Sequence, residues 1–314
     1  MVYKINIKST GVAKMNSFEE MINHLNKNNT PNISVAVAGD SRVLLSVKKA
    51  KEMNLANFNL VGDETIIKKC AKEINLSLDN INVIDEPDLI KACRRAVKFV
   101  SSGESQILMK GHVHTALLLK AVLDKEIGLR TGKILSHVAV FEIKEFNRLI
   151  LLTDGAMNIA PTLEEKIEII NNSVEVAQAL GIKIPKLAAI AAVETVNPKM
   201  PATTEGALLS KMSERGQIKK VIIEGPLALD NAISIEAANY KGIHNEVAGR
   251  ADILLAPNID VGNALYKSLI YFAKEKVGAV LSGASAPVIV TSRADSYEAK
   301  FNSIILAILL VEKQ

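Results

Sequence analysis

Short apolar runs alternate along the chain with longer stretches of helical period. Strands are predicted at Ile33–Ala38, Asn57–Val61, Asn82–Ile84, Ser105–Met109, Val138–Phe141, Leu149–Leu152, Lys186–Ala191, Lys220–Ile223, Asp252–Leu255, Val277–Leu281 and Val288–Thr291. Most are separated by about 10 to 15 residues of helical pattern, the βαβα alternation of an α/β protein with a mainly parallel sheet and helices on its faces. Val35–Ala38 and Ile253–Ala256 are apolar at every position, as burial on both faces requires. Helix starts are signalled by Asp40-Ser41, by Asp63 and by the Thr162-x-x-Glu165 pattern of a capping box. A first helix is expected around Ser17–Asn26. A last one runs from near Ala294 to about Glu312, its apolar stripe of Phe301, Ile304, Ile305, Ile308 and Leu309 packing onto a sheet. The pattern changes once, where Ser136–Phe141 and Leu149–Leu152 flank Lys144-Glu145-Phe146-Asn147 and predict an antiparallel hairpin. That change marks a domain boundary.

At about 150 residues per domain, 314 residues leave room for two cores. With 23% charged and 48% hydrophobic residues and a mean hydropathy of +0.19, the chain is a folded globular protein, not disordered, collagenous or a coiled coil. No apolar run approaches the roughly 18 residues of a membrane span, and Met1–Gly11 lacks the features of a leader, so a cytoplasmic protein is expected. Cys70 and Cys93 form no CxxC or zinc spacing and read as structural thiols. The net charge is only +4, aromatics are 4% and no dense Lys/Arg block occurs, which argues against nucleic acid and suits a small polyanion.

In open α/β sheets ligands bind beyond the carboxyl ends of strands, so the loops after strands are where chemistry is expected. Gly39-Asp40-Ser41-Arg42 sets a carboxylate and a guanidinium at a helix start, as cap and local ion pair or as cleft residues. Lys110-Gly111-His112-Val113-His114-Thr115 carries a strand through a cationic loop into a helix, where N–H groups, Lys110 and Thr115 suit phosphate. It is not a P-loop, and His112 and His114 find no further metal ligands, so no metal is expected. In Asn258-Ile259-Asp260-Val261-Gly262-Asn263, Asp260 reads as a cap and Gly262-Asn263 permits close approach of a ligand or a neighbouring loop. Thr291-Ser292-Arg293-Ala294-Asp295-Ser296 ends a strand in hydroxyls, a guanidinium able to fork onto phosphate, and a carboxylate; Ser292 and Asp295 could equally form an N-cap box. Neither Gly-x-Gly-x-x-Gly nor Gly-x-Ser-x-Gly occurs, which disfavours dinucleotide binding and esterase chemistry. Residue chemistry alone therefore reaches an α/β cleft enzyme for a phosphorylated ligand.

Four stretches resemble the phosphate acetyltransferase and phosphate butyryltransferase family: Leu108–Gly111, Glu224-Gly225-Pro226-Leu227-Ala228-Leu229-Asp230-Asn231-Ala232, Ala251–Lys267 and Thr291–Ser296. The likeness covers nearly the whole chain. His112–Thr115, Gly283–Pro287 and Ser292–Ser296 look like the butyryl branch. The resemblance implies two α/β domains with a cleft between them, similar to isocitrate and isopropylmalate dehydrogenases. It places residues 1–132 plus 290–314 in a discontinuous first domain and 133–289 in a second that carries the interface of a homodimer or higher homo-oligomer. The implied reaction is reversible acyl transfer between coenzyme A and inorganic phosphate, by direct attack in a ternary complex, with acyl-CoA and phosphate as substrates and no cofactor. Ser292 and Arg293 match the pair implicated there at the reacting phosphoryl group. The carboxylate proposed to take the CoA thiol proton has no exact counterpart: Ala299 lies nearest the expected place, Glu298 is shifted and Asp295 is earlier. CoA and phosphate contacts are expected from Asp40, Arg42, Lys110, Gly111, His112, His114, Thr115, Asp260, Gly262 and Asn263, and from Lys120 near a position where the acetyl branch has an arginine. The alternatives are the acetyl branch itself, a non-catalytic CoA- or nucleotide-binding regulator, and an NAD-dependent dehydrogenase of the same fold.

Overall fold

The computed structural model describes residues 13–26 and 30–313, so the reading of Met1–Gly11 lies outside the described residues. The first half runs α1 (Phe18–His24), β1 (Asn32–Ala36), α2 (Ser41–Glu52), β2 (Asn57–Gly62), α3 (Glu64–Glu73), β3 (Asn82–Asp85), α4 (Leu89–Ser101), β4 (Ile107–Lys110), α5 (Thr115–Val122). It continues through the hairpin β5 (Ser136–Glu142) and β6 (Leu149–Thr153), then α6 (Leu163–Ala179), β7 (Lys186–Ile190), α7 (Pro201–Glu214) and β8 (Ile222–Leu227). The short helices α8 (Leu229–Ile233) and α9 (Ile235–Tyr240) precede β9 (Ile253–Leu255), α10 (Ile259–Tyr271), β10 (Lys276–Ser282), β11 (Val288–Ile289) and α11 (Tyr297–Val311).

Every predicted strand is present, with its ends set by local backbone. β1 stops at Ala36 because Val37 turns to a left-handed φ of 57°, sending the Ala38 N–H to the Val61 carbonyl at 3.0 Å. β8 begins only at Ile222 because Lys220 is left-handed too, at φ 64°. β11 keeps two of its four expected residues, since Val290 and Thr291 leave the ladder. The caps at Asp40, Asp63 and Thr162–Glu165 form as expected. Two expectations are corrected. α11 starts at Tyr297, not near Ala294, because Ser296 is its cap and accepts the Ala299 N–H. α10 is capped by Asn258, whose Oδ1 accepts the Val261 N–H at 3.0 Å, and not by Asp260.

The strands form one eleven-stranded sheet in the order β3-β2-β1-β4-β11-β10-β5-β6-β9-β7-β8. β3 to β11 are mutually parallel, as are β6, β9, β7 and β8, while β10 and β5 run antiparallel to their neighbours between these blocks. The predicted hairpin pairs Ala139 with Leu152 and Glu142 with Leu149. Because β1, β4 and β11 are adjacent and parallel, their carboxyl ends meet at one edge of the sheet. On one face, the α11 stripe packs with Leu44, Val47, Val138 and Val280; on the other, Cys93, Val97 and Leu118 pack with Leu108 and Val288. α11 lies so close to β10 that a Cβ on Gly278 would sit 2.8 Å from the Asn302 carbonyl carbon. The first residues of this helix are thereby fixed over the sheet edge. Burial pushes the Cys93 thiol up to about 11 against the opposing charge of Lys110, in keeping with a structural thiol, and Cys70 is half-buried.

Candidate active site

Three loops converge at that edge. In the first, the Asp40 Oδ1 accepts the Val43 N–H at 2.9 Å and caps α2, while its Oδ2 lies 3.3 Å from Nδ1 of the exposed His112. The local Asp40–Arg42 ion pair expected from sequence is not what forms. Arg42 instead reaches across the edge, its Nη1 donating to the carbonyls of Arg293 at 3.3 Å and Ala294 at 3.4 Å.

The second loop begins at Lys110, which is buried and donates from Nζ to the carbonyls of Gly111 and Val113 at 3.3 and 3.1 Å. Burial, helped by the neighbouring charges of Lys300 and Arg293 and opposed by Asp295 and Asp40, lowers its pKa to about 8. Gly111 is required by packing: a Cβ there would lie 2.1 Å from the Val37 carbonyl oxygen. Its N–H and that of His112 donate to Ala36 and Val37 at 2.8 and 2.7 Å, and the Val113 N–H turns back to Gly111. These three N–H groups are thus committed within the protein. The first turn of α5 is opened by the exposed His114 and by Thr115. Lys120 is exposed in the last turn of that helix.

The third loop is a tight turn. The Asp295 Oδ2 accepts the Ser292 N–H at 2.7 Å and the Asp295 N–H returns to the Ser292 carbonyl at 3.2 Å, so the expected Ser292–Asp295 box exists, as a turn ahead of the helix and not as its cap. Ser292 Oγ accepts the Ala294 N–H, which leaves its own hydrogen to donate. Ser292 and Arg293 are exposed while Asp295 is buried. From α11, Lys300 donates Nζ to Thr291 Oγ1 at 3.0 Å and to the Ser292 carbonyl at 2.9 Å; burial lowers its pKa, opposed by Asp295 and Asp40.

The first turn of α10 behaves differently. A Cβ on Gly262 would sit 2.3 Å from the Asp154 carbonyl oxygen, and Asn263 Nδ2 donates to the Gly155 carbonyl at 3.2 Å, so the close approach permitted by this glycine is to a neighbouring loop. Asp260 is exposed, and no hydrogen bond or ion pair among the described residues joins Asp260, Gly262 or Asn263 to the Ser292–Asp295 turn. The α10 residue that reaches the turn is Lys267, with Nζ 3.9 Å from Asp295 Oδ1. Sequence reading also passed over His137 and Asp154. His137 is buried on β5 with its ring edge-on to Tyr266, and burial lowers its pKa against the charges of Asp154 and Asp295. Asp154 follows β6 and accepts the N–H groups of Ala156 and Met157. The strand-end rule applied to β6 points to Asp154, and a lysine in the apolar stripe of α11 points to Lys300. Nothing in the sequence singles out His137. No group of three or more His, Cys, Asp or Glu able to hold a metal ion occurs among the described residues.

The family model described as "Phosphate acetyl/butaryl transferase" matches residues 17–92 and 88–308. The chain belongs to this family. It is 52% identical over 294 residues to the phosphate butyryltransferase of Clostridium acetobutylicum, covering 94% of this chain and 98% of that relative. Among solved structures it is similar to a branched-chain phosphotransacylase from Enterococcus faecalis V583, with 38% identity, a TM-score of 0.80 and coverage of 90% and 99% of the two chains. A 4-hydroxythreonine-4-phosphate dehydrogenase from Klebsiella pneumoniae, 13% identical with a TM-score of 0.55 over 90% of this chain and all of that one, shares the fold. The dehydrogenase-like α/β architecture expected from the resemblance is thus the observed one.

Proposed function

We propose that this member of the family transfers a butyryl or similar short or branched acyl group reversibly between coenzyme A and inorganic phosphate, giving butyryl phosphate and CoA from butyryl-CoA and phosphate. The observation that supports it most is the meeting of Lys110, Arg293 and the Ser292 hydroxyl at one edge, in a chain 52% identical to a phosphate butyryltransferase over nearly its full length.

Toward acyl-CoA, the CoA sulfur attacks the carbonyl carbon of the acyl phosphate. A C–S bond forms, the C–O bond to phosphate breaks, and the departing phosphate is held by the exposed Arg293 guanidinium and the Lys110 ammonium. Ser292, whose hydroxyl hydrogen is available, donates to the oxyanion of the tetrahedral intermediate. In the reverse direction phosphate attacks the thioester and the sulfur leaves. A CoA thiol is only partly ionised at neutral pH, so a nearby base assists. Asp295 takes this role: Oδ2 holds the Ser292 N–H, and Oδ1 lies 3.9 Å from Nζ of Lys267. The Glu298 carboxyl is held below the usual range, because its partial burial is outweighed by its own backbone N–H, Ser296, Tyr297 and Lys49.

Asp40, Arg42, Gly111, His112, His114, Thr115, Lys120, Asp260, Gly262 and Asn263 belong to the proposed CoA and phosphate surface; Gly262 and Asn263 also contact the loop at Asp154. No cofactor beyond the substrates is needed, and a cytoplasmic location is part of the reading. Residues 1–132 plus 290–314 and 133–289 are taken as the two domains, supported by the two blocks of parallel strands on either side of β10 and β5, although β11 (Val288–Ile289) pairs with β4 in the first block while falling within 133–289. Exposed Tyr240, Tyr271 and Phe272 support a homodimer or higher homo-oligomer formed through the second. Phosphate-dependent release of CoA from acetyl-, butyryl- and isobutyryl-CoA, without added metal or NAD, tests the reading. Fastest release from the four-carbon substrates is expected; a preference for acetyl-CoA would move the chain to the acetyl branch.

A further inference from the structure

The Ser292 peptide is gripped from both sides. Its N–H is held by Asp295 at 2.7 Å, and its carbonyl by the Lys300 ammonium at 2.9 Å. The same ammonium holds the hydroxyl of Thr291 at 3.0 Å, so the two residues that lead into the turn share one buried cation. The next two carbonyls, of Arg293 and Ala294, accept from Arg42. Three successive carbonyl oxygens of the turn are therefore each matched to a positive side chain. Left unmatched, these dipoles would add negative potential next to any anion bound by Arg293, and the peptides would be free to rotate.

Lys300 is an unusual residue to place here. It is 3% exposed, beside Phe301 in the core stripe of α11, where a lysine is rarely buried without a specific partner. Its charge is felt by Lys110, and it feels Asp295, Asp40 and Arg42. The cluster holds five positive groups, Arg42, Lys110, Arg293, Lys300 and Lys267, against two carboxylates, Asp40 and Asp295. Such a surplus in a partly desolvated edge is matched by a dianion such as phosphate.

We propose that Lys300 is a positioning residue for the reaction: without touching substrate, it fixes the Ser292–Arg293 turn through the Ser292 carbonyl and Thr291 hydroxyl and supplies part of the positive field that receives phosphate. It rests on the reaction proposed above, but its effect on phosphate binding can be read without turnover.

The test compares wild type with Lys300→Met, Lys300→Arg and Thr291→Val, using calorimetric binding of inorganic phosphate, separate binding of butyryl-CoA, and steady-state kcat and KM for each. Lys300→Met is expected to weaken phosphate binding and lower kcat/KM for phosphate by about 100-fold, the effect of removing a buried charged donor from two acceptors. Butyryl-CoA binding stays within about threefold, and Lys300→Arg recovers about tenfold of the phosphate loss. With one positive neighbour removed, the alkaline limb of phosphate binding moves to higher pH in Lys300→Met, which a packing defect alone would not produce. Phosphate parameters within about threefold of wild type, or an equal loss of butyryl-CoA binding, would overturn the proposal. Should Lys300→Met fail to fold, Thr291→Val decides: a selective loss in phosphate of about threefold to tenfold supports it and wild-type behaviour overturns it. If wild type binds phosphate but shows no phosphate-dependent CoA release, the reaction fails while the binding comparison still reports on Lys300.

Discussion

Burying an ammonium beside Lys300 and Arg293 leaves Lys110 titrating near pH 8 instead of its ordinary 10.5. The sign follows from linkage: the folded protein prefers this lysine neutral, so its charge costs stability that is fully present below about pH 8 and relieved as pH rises toward 10.5, a cost of roughly 3 kcal/mol. Bound phosphate offsets that cost only while Lys110 is charged. The increase in Tm produced by phosphate is accordingly expected to be larger near pH 7 than near pH 9.5, and an equal increase at both would remove Lys110 from the anion site. Ser292→Ala is expected to lower kcat by about 100-fold with little change in Tm, since the exposed hydroxyl serves the oxyanion and not the fold; a kcat within about threefold of wild type would rule out that donor. Lys110, Ser292 and Arg293 can be named as candidates from sequence because charged and hydroxyl residues at strand ends suit phosphate, and the fold brings all three to one edge. The partners of Arg42 were not. Two positions from Asp40, it reads as a local ion pair, and only the folded chain shows it holding carbonyls of the third loop.

Elements deliver these side chains through their ends. Ser296 starts α11 just after the turn, so Ser296→Ala is expected to cost about 1 kcal/mol in urea unfolding; no loss would mean that the cap contributes nothing. Gly111 allows the end of β4 to lie against Val37, and Gly111→Ala is expected to destabilise by about 1–3 kcal/mol and to displace Lys110, with weaker phosphate binding as the second sign. Strands and most caps could be read in advance because a run such as Val35–Ala38 has one stable environment and Thr162-x-x-Glu165 has one local geometry. Their ends were less legible. A valine at φ 57°, such as Val37, is fixed by the neighbouring strands and not by its own preference. Asn258 and Asp260 are equally good caps in isolation, and the path of the chain selects the first.

Across the whole molecule, the site depends on strand order. Arg42 and the Arg293 carbonyl it holds are 251 residues apart in sequence, and they meet because β11 returns to lie beside β4, which lies beside β1. Local patterns announce each strand but not its neighbour, so the four loops could be named while their convergence could not. Three loops meet at one edge; the first turn of α10 is tied instead to the loop at Asp154, and Lys267 further along that helix reaches Asp295. In the proposed reaction phosphate is held on fixed cations and no covalent enzyme intermediate forms, so both substrates are expected to occupy the protein together. The most direct measurement is phosphorus NMR of butyryl-CoA and phosphate incubated with wild type and with Arg293→Ala, each shown to be folded by its circular dichroism. Butyryl phosphate is expected to form with wild type and to fall by about 1,000-fold with the variant, as loss of the group that holds the transferring phosphate requires. Absence of butyryl phosphate with wild type, or its formation at a near-normal rate by Arg293→Ala, would contradict acyl transfer at this turn.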